Sequence, residues 1–304
     1  MSTLIGDIGG TQARFALASG GRYGVVVAQR VAEHATPLAA IQAALAVLGP
    51  ATRAILAIAG PIEGDRASLT NAAWHFDAPA LAAALGLTSL RLVNDLEAMA
   101  WALPALTPDD LETWQAGEAV PGAPQAIIAP GTGLGVAGFL PGHGALATEA
   151  GHMGFAPRDA TEAALLAWLS ARQGAVCAED FLSGLGLATL HEGIAELRGI
   201  AVPPRDGPEI SAAAEAGCPV AQEALAIFWR GLAGFCGDVA LLLGARGGVS
   251  LAGGVARVPT DRAAFLERFQ DRPRMRSYLA RVPVRRITHP QPGLLGLAQL
   301  ALKA

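Results

Sequence analysis

The chain is expected to fold as an α/β protein of two domains, and three observations predict it. Its 304 residues exceed the size at which one hydrophobic core usually stops growing. Short apolar runs of strand length alternate with longer segments that open on helix-capping residues and close on glycine. The opening pattern of apolar strand, Gly/Thr turn and apolar strand returns near residue 126, an internal echo expected of two related halves. Composition agrees: 52% of residues are hydrophobic and 16% charged, ample for a large core and too apolar for a disordered chain.

Taken in order, Leu4-Ile5 and Ile8 predict a strand that Gly9-Gly10 bend. Ala13 to Leu17 return as a second strand, and Tyr23 to Val27 form a third after the Ser19-Gly20-Gly21 turn. Thr36-Pro37 supplies an N-cap and a first-turn proline for a helix that stops at Gly49. Ala54 to Ala59 is uninterruptedly apolar, the mark of a strand buried on both faces. Asp77 caps a helix ending near Gly86, Leu90 to Val93 is the next strand, and Asp95 opens a helix that ends before Pro104. Thr107 to Pro124 is polar and proline-rich, a crossover between domains. Ala126 to Ala129 and Val136 to Leu140 are strands around a glycine loop. Helices are predicted at about 161–171, 180–196, 219–243, 260–270 and 293–303, with a strand at Val249 to Leu251. Domain boundaries are expected at 1–104 plus about 291–304 for a small domain, and 105–290 for a large one.

Net charge is −4, and Arg285-Arg286 is an isolated basic pair, so a nucleic-acid partner is not expected. Cys177, Cys218 and Cys236 form no CxxC pair, which argues against structural zinc. The N-terminus lacks a basic region followed by an apolar one, so the expected compartment is the cytoplasm. Gly231 to Ala256 is apolar but broken by Asp238 and Arg246; it reads as a buried helix and strand, and no membrane partner is expected.

Five constellations can carry chemistry. In Gly6-Asp7-Ile8-Gly9-Gly10-Thr11, glycines after a buried strand let backbone N–H groups approach a phosphate, Thr11 adds a hydroxyl, and Asp7 brings a carboxylate where Mg²⁺ needs one. An ordinary hairpin turn is the alternative. Gly131-Thr132-Gly133-Leu134-Gly135 is spaced GxGxG before a strand. It therefore matches neither the GxGxxG that opens a dinucleotide-binding helix nor a Walker A loop, and reads as a second phosphate cradle or a plain hairpin. Asn94-Asp95 sits at the C-terminal end of a buried strand, where Asp95 can be a helix cap or the base that orients and deprotonates a hydroxyl. Glu149-Ala150-Gly151-His152 and Glu179 offer carboxylates and an imidazole suited to a polyol; metal ligation is the competitor, unsupported by HExxH or a Cys partner. Leu251-Ala252-Gly253-Gly254-Val255 could pack flat against an adenine or ribose.

Together, in this order and over essentially the whole chain, these residues resemble the bacterial glucokinase family of the sugar kinase/Hsp70/actin superfamily. Gly6 to Arg14 resembles that superfamily's first phosphate motif, Pro130 to Gly135 its second, Asn94-Asp95 its first connecting motif and Leu251 to Val255 its adenosine motif. Thr70-Asn71-Ala72-Ala73-Trp74, Glu149 to Pro157 and Glu179 to Gly186 are similar to segments specific to glucokinases. Only Cys177 follows His152 closely, unlike the zinc-containing repressor/kinase branch.

The resemblance implies the actin-like ATPase (ribonuclease H-like) fold, with two domains flanking a cleft that closes on sugar and expels water. It implies ATP-dependent phosphorylation of glucose at the 6-hydroxyl, with Asp95 as base and Asn71, Asn94, Asp95, Glu149, His152 and Glu179 as sugar ligands. Gly6, Asp7, Ile8, Gly9, Gly10, Thr11, Gly131, Thr132, Gly133, Gly253 and Gly254 would bind ATP. Asp7 would hold Mg²⁺ through water, and a homodimer is implied. The family usually has Asn where Gln12 stands and Gly where Ala150 stands. The competing expectations are a kinase for another hexose such as fructose or mannose, and a non-catalytic sugar-sensing regulator. A dehydrogenase is disfavoured by the GxGxG spacing, and a regulator by the start of the first phosphate motif at residue 6.

Overall fold

A computed structural model describes residues 2–69, 72–254 and 260–303. The chain divides into two compact units, the first of residues 1–111, 142–147 and 289–304, the second of residues 112–141 and 148–288.

The sheet of the first unit runs in the order Arg22–Tyr23, Gln12–Ser19, Thr3–Ile8, Arg53–Ile58, Ser89–Asn94. Thr3–Ile8 is antiparallel to Gln12–Ser19 and parallel to Arg53–Ile58, which is parallel to Ser89–Asn94. Ile8, Ile58 and Asn94 stand side by side at the carboxyl ends of the three parallel strands. Both faces of the sheet are covered, which is why Ala54 to Ile58 reads as an unbroken apolar run. Successive side chains alternate faces. Leu4, Ile8, Leu56 and Ile58 therefore join Ile41 and Leu81 on one side, and Ile5, Ala57 and Val93 join Ala98, Leu294 and Leu297 on the other.

The caps act as expected. Thr36 accepts from the Ala39 N–H at 3.2 Å, Asp77 from that of Ala80 at 3.1 Å, and Gly86 ends its helix in the left-handed region with φ 66°. The third predicted strand is instead two, Arg22–Tyr23 and Val27–Arg30. Both pair with Gln12–Ser19, and the residues between leave the ladder with Val25 exposed. A small sheet of Ile62–Glu63, Arg66–Ser68 and His75–Asp77 was not expected; its strands are too short to show alternation.

The tightest contact in this unit is where the C-terminal helix Pro292–Leu300 crosses Asp95–Ala102. A Cβ on Gly296 would collide with the Ala98 carbonyl oxygen, and it would lie 2.8 Å from the carbonyl carbon. Helix propensity favours alanine over glycine by only about 1 kcal/mol, whereas overpacking costs about 1–3 kcal/mol or more when the obstacle is backbone. The clash wins: Gly296→Ala is expected to lower stability in urea unfolding, and a stabilised variant would refute this packing.

The second unit has the strand order Leu111–Gln115, Val284–Ile287, Gly248–Leu251, Gln125–Pro130, Leu134–Leu140. Gln125–Pro130 is antiparallel to Leu134–Leu140 and parallel to Gly248–Leu251. The first unit has the same arrangement, a hairpin whose first strand takes a parallel partner from later in the chain, so the sequence echo is a structural one. Helix Pro219–Leu242 packs the core through Ile227, Phe228, Leu232, Cys236 and Val239. Among the described residues it alone is long and apolar enough to cross a bilayer, and 67% of its most apolar window is buried inside the unit.

Three expectations here are corrected. Thr107 to Pro124 contains the edge strand Leu111–Gln115, and Val284–Ile287 is a strand although two arginines interrupt it. Residues 180–196 are two helices, Glu179–Leu182 and Gly184–Leu197. Ser183 breaks them by taking extended backbone and accepting from the Gly186 N–H at 2.9 Å, an N-cap hidden inside an apolar stretch.

Candidate active site

In the first unit, Gly6 and Ile8 are buried within their strand. The space a Gly6 Cβ would need is taken by Leu56 Cδ2 at 2.7 Å and the Phe15 ring at 3.0 Å, so Gly6 serves packing. The accessible part of the motif is the turn. Gly9 N–H donates to Gln12 O at 2.9 Å, while the N–H groups of Gly10 and Thr11 and the Thr11 hydroxyl have no partner among the described residues. Three donors left open at a glycine turn are what an anion needs.

Asp7 lies cross-strand from Arg14. Its carboxylate sits against the first turn of Pro292–Leu300: a Cβ on Gly293 would be 3.0 Å from Asp7 Oδ2. Helix N-termini favour negative charge. Burial nevertheless pushes the Asp7 carboxyl above the ordinary range, with Arg14 pulling it back. A single carboxylate of this kind fits Mg²⁺, which keeps most of its waters and takes its other oxygens from phosphate. No group of three or more His, Cys, Asp or Glu forms a metal cage among the described residues. At Gln12 the side-chain oxygen accepts from Arg14 Nη2 at 2.5 Å.

Asn94 and Asp95 follow the row of strand ends Ile8, Ile58, Asn94, the position where open α/β sheets present reactive groups. Asn94, not Asp95, caps the helix: Asn94 Oδ1 accepts from Leu96 N at 2.9 Å and Glu97 N at 3.4 Å. Asp95 is the first helical residue, with Oδ1 accepting from Leu96 N at 2.9 Å. Asn71 lies outside the described residues.

In the second unit, four motifs converge on one turn. Gly131 N–H donates to Gly133 O at 2.8 Å, and Gly184 N–H donates to Gly131 O at 2.7 Å. Leu134 N–H donates to Glu179 Oε2 at 2.6 Å. The carbonyl of the same Leu134 faces Gly151: a Cβ there would collide with the oxygen and lie 3.1 Å from the carbon. The Ala150–His152 turn is thereby seated on the glycine loop, with exposed Glu149 and His152 at its ends. His152 Nδ1 is 3.9 Å from Cys177 Sγ. That approach follows from backbone pairing, since Phe155 N–H donates to Val176 O at 3.2 Å and Ala178 N–H to Met153 O at 2.8 Å. The Ala150 methyl packs on the core of the unit. Gly253 ends Gly248–Leu251 at φ +86°, and its Cβ would lie 2.7 Å from Pro130 O, so the chain can turn there only as glycine. Gly254 beside it is exposed, and Val255 lies outside the described residues.

Sequence reasoning named Gly151 and Cys177 without the contacts they make, and it missed Ser183, which breaks the helix, and Gly293, which admits Asp7. Only Ser183 left a usable signal, the Ser-Gly-Leu-Gly of a capped helix start.

A family model described as glucokinase matches residues 4–304. The chain belongs to the glucokinase family. The glucokinase of Chromohalobacter salexigens is 40% identical over 97% of this chain and 96% of its own. That of Cupriavidus metallidurans is 40% identical over 97% and 92%. The crystal structure of a glucokinase from an Antarctic psychrotroph superposes with a TM-score of 0.91 at 32% identity, covering 100% of this chain and 99% of that one. A ROK family glucokinase from Streptomyces griseus, solved with glucose and AMPPNP, shares the fold at a TM-score of 0.62 and 21% identity, covering 100% of both chains. The fold is thus the two-domain actin-like ATPase fold of this family, and the reading of the chain as a dehydrogenase falls away.

Proposed function

We infer that this member of the glucokinase family transfers the γ-phosphate of ATP to the 6-hydroxyl of D-glucose, releasing glucose 6-phosphate and ADP. The observation that carries the reading is the convergence on Leu134 of the Gly131–Gly133 loop, the Glu149–His152 turn and Glu179. The loop read as a phosphate cradle and the side chains read as polyol acceptors share this point within one unit, which supports the reading. In this reading Asn71, Asn94, Glu149, His152 and Glu179 hold the sugar. Gly9 to Thr11, Gly131 to Gly133 and the Gly253-Gly254 turn hold the nucleotide.

Asp95 accepts the proton of the attacking hydroxyl as the O–P bond forms. A sugar hydroxyl is a feeble nucleophile while protonated, and a positioned carboxylate both aims it and removes its proton. Asp7 would hold Mg²⁺ through water, and the ion would offset the charge on the transferred phosphate. In this reading the enzyme works in the cytoplasm as a homodimer, and sedimentation of the purified chain tests the dimer.

A coupled ADP-release assay across glucose, fructose, mannose and N-acetylglucosamine, with ATP, ADP or polyphosphate as donor, tests the substrate pair. The highest kcat/KM is expected for glucose with ATP. A higher value for another sugar would move the assignment to that hexose, and no turnover with any pair would favour a sugar-sensing regulator.

A further inference from the structure

We propose that Glu179 belongs to both substrate sites at once, one carboxylate oxygen bracing the glycine loop and the other left for a sugar hydroxyl. The proposal rests on the sugar-binding reading above and adds a coupling that the reading does not contain.

Glu179 and the loop are 45 residues apart, yet the Leu134 N–H reaches Glu179 Oε2 at 2.6 Å. Oε1 of the same carboxylate has no partner among the described residues. The carboxylate fills the space beside Gly133 where any other residue would put its Cβ: that atom would overlap Oε2 and sit 3.1 Å from Cδ. A second bond, Gly184 N–H to Gly131 O at 2.7 Å, ties the far end of the loop to the segment that follows Glu179. The loop is thus held at both ends by the 179–184 segment, and the orientation of Glu179 depends on the loop having no side chain at 133. Gly131 is different. Its Cβ would meet nothing within 4 Å and its φ is not in the left-handed region.

Substitutions at 179 separate the two oxygens. In Glu179→Gln the amide oxygen can still accept from Leu134 N–H, but the other end is now a donor and cannot accept from a hydroxyl. Glu179→Ala loses both. Calorimetry on the full chain reads each arm, with glucose alone and with Mg²⁺–AMPPNP alone. Glu179→Gln should weaken glucose by about tenfold or more while leaving AMPPNP affinity near wild type; Glu179→Ala should weaken both. Gly133→Ala should weaken glucose with no nucleotide present, because its methyl displaces the carboxylate, while Gly131→Ala should bind glucose as the wild type does.

The coupling is overturned if Glu179→Ala binds AMPPNP as well as Glu179→Gln does, or if Gly133→Ala and Gly131→Ala bind glucose alike. The 179 pair decides the matter even if Gly133→Ala fails to fold. If Glu179→Gln leaves glucose affinity unchanged, the sugar contact itself is wrong and the proposal falls with it, an outcome distinct from loss of the brace alone.

Discussion

Replacing Asp95 by Asn should cut kcat by roughly 10²–10⁴, the usual worth of a positioned general base, while glucose still binds. The amide keeps the size of the carboxylate and can still accept from the Leu96 N–H, the bond Asp95 Oδ1 makes at 2.9 Å. The helix start does not depend on it either, because Asn94 supplies the cap. What the amide cannot do is take a proton. The expected signature is therefore a fall in kcat with calorimetric glucose affinity and thermal stability close to wild type. Turnover within a few-fold of wild type would remove Asp95 from the role of base. Loss of folding would instead show that its carboxylate is structural.

The second large effect is on stability and lies away from the chemistry. Glu162 is 1% exposed in the first turn of the helix Ala160–Gln173. Its two oxygens accept from Arg268 Nη2, both at 2.7 Å, and Oε2 also accepts from the Arg158 N–H at 2.8 Å. Arg268 is itself only 13% exposed, and its other acidic neighbours are Asp271, 3.8 Å away, and the more distant Asp238, which already pairs with Arg158 and Arg272. Glu162→Ala would strand a nearly buried guanidinium, at a cost of about 3–5 kcal/mol. That is a large part of the ~5–15 kcal/mol that holds a domain together. Replacing both members of the pair, Glu162→Leu with Arg268→Met, should recover most of the loss, since a buried pair and a well-packed apolar one are often close in energy. Urea unfolding followed by tryptophan fluorescence measures both, because Trp114, Trp168 and Trp229 lie in this unit. A single-variant loss under about 1 kcal/mol would mean that water reaches the pair.

Much of the fold was legible because its signals are local. Thr36-Pro37 and Asp77 mark helix starts through bonds that span three residues, and Ala54 to Ile58 announces a doubly covered strand by composition alone. The strands Leu111–Gln115 and Val284–Ile287 were not legible. Both take their place from partners distant in sequence, and the arginines of the second break the apolar pattern a reader relies on. The break at Ser183 was written in the chain but masked by apolar residues on either side. The candidate site was legible as a set of motifs and not as a geometry. Asn94 and Asp95 could be told apart only by seeing which oxygen accepts from Leu96 and Glu97.

The sequence by itself determined the class of the fold, the twofold echo in its plan, the family and the residue types available for phosphoryl transfer, because capping, strand burial and motif order are properties of neighbours along the chain. The tertiary structure alone decided which glycines are obligatory. Gly6, Gly151, Gly253 and Gly296 are each required by an atom far away in sequence. It also decided that Glu179 meets Leu134, and so where the carboxylate proposed to hold the sugar stands. Such contacts come from close packing between elements, where the space left beside a backbone is fixed by the partner's position and by nothing in the local sequence.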